Sequence, residues 1–158
     1  MQFRIQNATP EDAELAVDFF NKLQYYHQEI NPAMWTLKPN AAEIFRKYFL
    51  EELQKENFFA RLAFNSENQI AGILLANVQQ NLPIIEPDKF GYITDFYINE
   101  EFRGSGLADL LLEDITSIFR KLNISEIRLQ VDAENQRGIN FYNKHKFKTI
   151  THKMMLKI

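Results

Sequence analysis

Residues 90–122 read FGYITDFYINEEFRGSGLADLLLEDITSIFRKL. From Phe90 to Ile98 aromatic and β-branched residues dominate, the composition of a strand. Arg103-Gly104-Ser105-Gly106 follows, and directly after it Leu107, Leu110, Leu111, Ile115, Ile118, Phe119 and Leu122 recur at the spacing of one buried helical face. A strand, a turn with two close glycines and then a helix expose free N–H groups at the positive end of the helix dipole. Such a turn attracts phosphate. Gly104 and Gly106 lack β-carbons, so an anion can approach the main chain, and Arg103 can add a charge-assisted bond. The plainer reading is that the glycines only turn the chain from sheet to helix.

Two nucleotide-binding motifs can be tested on the same residues. A P-loop needs Gly-Lys-Ser/Thr after its first glycine, and a dinucleotide fingerprint needs glycine or alanine where Asp109 stands. Both fit poorly.

Upstream, Phe3 and Ile5 alternate with polar residues as a first strand. Thr9 with Asp12 then supplies a helix-start signature. Leu15, Ala16, Phe19, Phe20 and Leu23 predict a helix ending near Tyr26. His27 to Pro39, with two prolines and the only tryptophan, Trp35, reads as a loop. Asn40 and Glu43 open a second helix carrying Ile44, Phe45, Tyr48, Phe49 and Leu53. Phe58, Ala60, Leu62 and Phe64 alternate along a strand, a polar turn follows at 65–68, and Ile70 to Val78 completes a hairpin. Asn81 to Asp88 is another loop. Downstream, Ile127, Leu129 and Val131 form a strand, Asn135 to Lys144 a short helix, and Phe147 to Ile158 mostly strand. The order implies an α/β fold, a mixed sheet covered by about four helices, in one domain spanning residues 1–158.

A chain of 158 residues can bury a core without disulfides or metals. Its net charge of −3 and pI near 5.7 argue against nucleic acid or an anionic membrane as principal partner. Without cysteine there is no disulfide, thiolate nucleophile, zinc ribbon or iron–sulfur cluster, and no metal site is expected. The N-terminus lacks the continuous apolar stretch of a signal peptide. The longest apolar run, Ala71 to Ala76, is far short of the roughly 18 residues of a membrane span. A cytoplasmic location is the expectation.

Arg103-Gly104-Ser105-Gly106-Leu107-Ala108 resembles the R-x-x-G-x-G/A pyrophosphate loop of GNAT acetyltransferases. Tyr92 to Ile98 is similar to the strand before that loop. Asn135-Gln136-Arg137-Gly138-Ile139-Asn140-Phe141-Tyr142 resembles the family's N-x-x-A/G-x-x-F-Y segment. The resemblance implies the GNAT fold, with a sheet splayed beside its central strand so that the pantetheine arm of acetyl-CoA lies in the gap. It places the cofactor against Phe96, Tyr97 and Ile98, the turn Arg103, Gly104, Ser105, Gly106, Leu107, Ala108 and Asp109, and then Asn135 and Tyr142. It also implies an amine acceptor, small molecule or protein, and a homodimer.

Acetyl transfer from a thioester needs an uncharged amine, a donor for the oxyanion and an acid for the departing thiolate. No covalent enzyme intermediate is required, in keeping with a chain that has no cysteine. Tyr142 matches the family tyrosine near the thioester sulfur, and a phenol with a pKa near 10 stays protonated at neutral pH. Its plainer role is to pack with Phe141 on the sheet. Asn135 caps a helix, faces pantetheine, or does both. The N–H near Ile98 resembles the oxyanion donor. Asp95-Phe96-Tyr97-Ile98 is similar to the diamine and polyamine branch, which however carries glutamate where Thr94 stands. Asp95 is therefore the candidate base, acting through water or holding a cationic acceptor; its plainer role is that of a structural hydrogen-bonding group in the strand. Lys146 stands where the family has glycine, a strained position for lysine. His145 reads as an exposed helix-end residue.

Tyr25, Tyr26, His27, Glu29 and Trp35, with Glu86 and Asp88, are the expected acceptor side. Aromatic rings with carboxylates suit a cationic amine, although packing and solvated charge explain the same residues. A polyamine, an aminoglycoside and a protein N-terminus all fit. The rival readings are a catalytically inactive CoA-binding regulatory module, motivated by Thr94, and a structural interaction domain without cofactor affinity.

Overall fold

A computed structural model describes residues 2–158 of the chain. Strand β1 (Phe3–Asn7) leads through a 3₁₀ turn at Pro10–Asp12 into helix α1 (Ala13–Ile30), followed by α2 (Ala41–Glu52). The turn carries the expected capping box, with the Thr9 N–H donating to the Asp12 carboxylate at 2.8 Å. Helix α1 runs one turn beyond the expected end near Tyr26 and stops at Asn31, whose N–H closes on the His27 carbonyl. At the start of α2, Asn40 takes the cap position without a side-chain cap bond.

Strands β2 (Phe58–Asn65) and β3 (Ile70–Gln80) form the expected hairpin, and β4 (Lys89–Ile98), helix α3 (Leu107–Lys121), β5 (Ile127–Leu129) and helix α4 (Gln136–Lys144) follow. The sheet order is β1-β2-β3-β4-β5, antiparallel until the final parallel pair β4–β5. A parallel neighbour needs a crossover, and α3 supplies it.

Each face of the sheet carries a core. Ala16, Phe19, Phe45 and Phe49 of α1 and α2 cover Leu62, Ile73 and Leu75. On the other face Leu107, Leu111, Ile115 and Phe119 of α3 cover Leu74, Ala76, Ile93 and Ile98. Gly91 is where β4 passes under the Phe119 ring, which a β-carbon would strike. No helix among the described residues is long and apolar enough to cross a membrane.

The expected strand from Phe147 to Ile158 does not form. Ile150, Met154, Leu156 and Ile158 do fall on one face of a period-two pattern, broken by His152 on that face and Met155 on the other, but these side chains are exposed and the segment pairs with nothing. Period-two patterning fixes which side chains share a face; a strand also needs a neighbouring edge, and here β5 offers only three residues.

Candidate active site

The gap predicted beside the central strand is present. Pairing of β4 with β5 covers Gly91, Tyr92 and Ile93 and then stops, while β4 continues to Ile98. Its register with β3 slips at the same place. Ile93 stands opposite Ala76 and Asp95 opposite Leu75, so Thr94 is an extra residue in a bulge. The Thr94 hydroxyl reaches the Leu75 carbonyl at 3.2 Å, supplying a donor where the ladder is broken.

The bulge also reverses which residues face the gap. Gly91 N–H points toward β5, donating to the Glu126 carbonyl, whereas Asn99 N–H points toward β3, donating to Ala71. N–H directions alternate along a strand, so those of Phe96 and Ile98 face the open edge. Without the extra residue the edge would belong to Asp95 and Tyr97. Instead those two side chains lie on the α1/α2 face, Tyr97 with its ring 5.9 Å from that of Phe19.

At the mouth of the gap Gly104 and Gly106 both adopt left-handed backbone, φ 75° and 83°. A β-carbon at either would meet nothing within 4 Å, so conformation and not crowding by the chain demands glycine there. The first N–H of α3 with a partner is that of Leu110, bonded to the Gly106 carbonyl; those of Leu107, Ala108 and Asp109 have none in the described chain. Other groups of the turn are engaged. Ser105 Oγ donates to the Phe102 carbonyl at 2.6 Å. Arg103 folds back over the end of β4, its Nε donating to Ile98 O at 3.3 Å and its Nη1 pairing with Glu100 at 2.6 Å. The Asp109 carboxylate takes Lys144 at 2.7 Å and His145 at 2.9 Å, which hold its pKa below the ordinary value and tie α3 to α4. His145 is therefore a half-buried staple and not the exposed helix end expected from the sequence.

Helix α4 stands across the gap. The Phe141 ring meets that of Phe96 edge-on at 5.7 Å, anchoring the helix to β4. Tyr142 lies between Phe141 and Phe147, each 5.4 Å away, and burial pushes its phenol up to about 12. Its hydroxyl makes no hydrogen bond within the described chain and is not sealed from solvent. Asn135 caps α4: its Oδ1 accepts from Gly138 N–H at 2.9 Å and from the Tyr26 hydroxyl at 3.1 Å, while its Nδ2 has no partner in the described chain. A β-carbon on Gly138 would press into the Asn135 side chain, which accounts for the glycine. Lys146 holds φ 65°, the left-handed position expected for the family's glycine.

Asp95 is mostly buried. Beside it lies a recess of about 10 Å³ walled by Ala16, Phe19, Phe20, Leu23, Phe45, Ile73 and Leu75. That is room for about one water. Burial pushes the Asp95 carboxyl above its ordinary range, and the neighbouring Thr94 side chain opposes the shift. The Tyr48 phenol, read from the sequence only as part of the apolar face of the second helix, lies close enough that burial, Glu52 and Asp95 together push it up to about 12.

The expected acceptor residues divide. Tyr26, His27 and Trp35 gather near the gap, Tyr26 on Asn135 and Trp35 Nε1 donating to Asp132 at 3.0 Å, with the His27 ring 4.2 Å from Trp35. Tyr25, Glu29, Glu86 and Asp88 are exposed and make no ion pair or side-chain hydrogen bond in the described chain. Asp132 and Arg137 went unnoticed in the sequence. Nothing local marks Asp132, whose partners lie about a hundred residues upstream. Burial lowers the pKa of Arg137, and the like charge of Arg103 adds to the shift. Among the described residues no group of three His, Asp or Glu side chains could hold a metal ion.

The strand–glycine turn–helix unit, the gap and the Asn135–Tyr142 helix fall inside a match, over residues 20–147, to the family model for the acetyltransferase (GNAT) family. The chain belongs to this family. It is 24% identical over 147 residues, 91% of this chain and 90% of the relative, to the uncharacterized N-acetyltransferase YdgE of Bacillus subtilis. Its fold is that of the BH1408 protein of Bacillus halodurans, solved as a point mutant, with TM-score 0.88 and 22% identity over 98% of this chain and 99% of the other. A predicted acetyltransferase from Clostridium acetobutylicum, solved with acetyl-CoA, superposes with TM-score 0.80 and 22% identity over 99% and 96% of the chains. This GNAT chain therefore has the mixed sheet and four helices expected of the fold.

Proposed function

We propose that this GNAT acetyltransferase moves the acetyl group of acetyl-CoA directly onto a primary amine. The observation that carries the proposal is the unpaired edge of β4 from Thr94 to Ile98, opening at the left-handed glycine turn. An extended pantetheine arm can pair with such an edge as a strand would. The free N–H groups of Leu107, Ala108 and Asp109 suit its pyrophosphate. The free Nδ2 of Asn135 is a donor for a pantetheine carbonyl.

When bound, acetyl-CoA supplies the activated acyl group. Asp95, with a raised pKa and room for one water, takes the amine proton through that water. The Ile98 N–H, facing the gap, stabilises charge on the acyl oxygen as the new N–C bond forms. Tyr142 delivers its proton to sulfur as the C–S bond breaks, its hydroxyl being unengaged by any hydrogen bond within the described chain.

The acceptor side, Tyr26, His27 and Trp35 with the aromatic wall around Asp95, suits a cationic amine: a polyamine, an aminoglycoside or a protein amine. We also propose a cytoplasmic homodimer, in which the exposed alternating residues Ile150, Met154, Leu156 and Ile158 find a partner surface. Light scattering after size exclusion tests the dimer. Calorimetric titration with acetyl-CoA, then thiol release across an amine panel, tests the activity. Micromolar cofactor binding with amine-dependent release is expected. Binding without release from any amine would favour the inactive CoA-binding module, and no binding at millimolar acetyl-CoA would refute the proposal.

A further inference from the structure

One carboxylate joins the acceptor side of the molecule to the cofactor side. Asp132 lies in the turn between β5 and α4, three residues before Asn135. Its two oxygens accept from Asn31 Nδ2 at 3.2 and 3.0 Å, Trp35 Nε1 at 3.0 Å and the Glu134 N–H at 2.9 Å. Its carbonyl takes the Asn135 N–H at 2.9 Å. A second tie runs parallel, from the Tyr26 hydroxyl to the Asn135 amide at 3.1 Å. The end of α1 and the loop after it are thus docked on the turn that carries Asn135, by bonds spanning about a hundred residues of sequence.

Stability alone does not explain this node. The His27 ring is packed 4.2 Å from Trp35, yet its Nδ1 is buried without a partner, a cost that an optimised structural contact avoids. Asn135 spends its oxygen on the Tyr26 tie and on the Gly138 N–H that it caps, and keeps its Nδ2 free. A ligand taken up by Nδ2 therefore pulls on the group that Tyr26 holds, and on a backbone bonded to Asp132.

We propose that Asp132 and Tyr26 are positioning residues that couple occupancy of the cofactor gap to the acceptor-side loop, so that acetyl-CoA binding at Asn135 is transmitted to Trp35. This rests on the acetyl-CoA assignment above. It makes the acceptor wall a consequence of cofactor binding, and by reciprocity an acceptor held at Trp35 tightens the cofactor by the same factor.

Trp35 is the only tryptophan, so its fluorescence reports this node without labelling. The experiment titrates acetyl-CoA into the full chain while following heat by calorimetry and Trp35 emission with acrylamide quenching. It is repeated on Asp132→Asn and Tyr26→Phe, with circular dichroism to check the fold. The wild type should show a saturable Trp35 change with the same midpoint as the heat. Asp132→Asn keeps the shape of the side chain but removes its charge, leaving Trp35 more open to quencher before any ligand is added. In both variants heat should persist while the Trp35 response is largely lost. Heat with a silent Trp35 in the wild type, or wild-type responses in both folded variants, overturns the coupling and leaves the acetyl-CoA assignment intact. No heat in the wild type refutes that assignment and the coupling with it. If Asp132→Asn does not fold, Tyr26→Phe alone decides, since it removes one hydroxyl and leaves the Asp132 bonds in place.

Discussion

Replacing Tyr142 by phenylalanine separates the chemical role of the phenol from its packing role. The ring contacts with Phe141 and Phe147 are kept, and the deleted hydroxyl makes no hydrogen bond within the described chain. Stability should therefore change by no more than about 1 kcal/mol, the ordinary net worth of one hydrogen bond. Acetyl-CoA binding should be nearly unchanged, because the pyrophosphate turn and the β4 edge are untouched. Turnover should fall by about 10²–10⁴-fold, the usual contribution of one general acid, which is about 3–5 kcal/mol of barrier. The assay is thiol release at saturating amine, with the acetyl-CoA dissociation constant measured in parallel by calorimetry. A variant that turns over at the wild-type rate would remove Tyr142 from the mechanism. A large loss of affinity at unchanged turnover would assign the hydroxyl to binding instead.

The same geometry makes other tests. Gly106→Val places a β-branched residue at φ 83°, costing about 1–2 kcal/mol of stability from backbone strain alone, and should weaken acetyl-CoA tenfold or more; unaltered affinity would refute the pyrophosphate turn. Asp95→Asn should slow turnover and, at pH 7, raise the melting temperature. Burial raises the folded pKa of Asp95 above its unfolded value, so its contribution favours folding at acid pH and is lost as pH rises through the folded pKa. The advantage of asparagine over aspartate should accordingly grow from acid to neutral pH, and melting curves in which it shrinks contradict the assignment. Because the Tyr142 phenol titrates only at about 12, the rate should show no falling limb from this group below about pH 10. Lys146→Gly should stabilise the chain by about 1 kcal/mol, since the left-handed turn at φ 65° asks for glycine; a lower denaturation midpoint would show that the lysine side chain offsets its strain.

Much of the architecture was legible from periodicity. The buried stripe Leu107, Leu111, Ile115, Phe119 and the alternation of Phe58, Ala60, Leu62 and Phe64 are local patterns that survive folding unchanged. The glycine turn was legible too, because φ values of 75° and 83° leave a mark in residue type. Three features were not. The bulge at Thr94 depends on how β3 and β4 slide past each other, and no residue type announces it. The C-terminal alternation from Ile150 to Ile158 was read as a strand, because the pattern records a face and says nothing of the edge that must receive it. The Asp132 node was invisible for a related reason: its donors, Asn31 and Trp35, come from a loop whose docking is a property of the whole fold.

The hydrogen-bond donors that face the gap belong to the backbone. The parallel pair stops at Ile93, the extra residue at Thr94 turns the N–H groups of Phe96 and Ile98 to the open edge, and two left-handed glycines bare the start of α3. These three irregularities fall within 14 residues of chain, and each supplies hydrogen-bond donors aimed at a ligand before any side chain is considered. Main-chain donors fixed by the fold cost nothing to reorganise when charge develops, which is what stabilising a transient oxyanion requires. The proton acceptor is under a looser demand. It has only to reach the amine through one water, and a carboxylate of raised pKa can do so from a neighbouring face of the strand. In the proposed mechanism an acid at Asp95 in place of one at Thr94 is then a change of route to the same proton, because the bulge brings both positions to one point of β4.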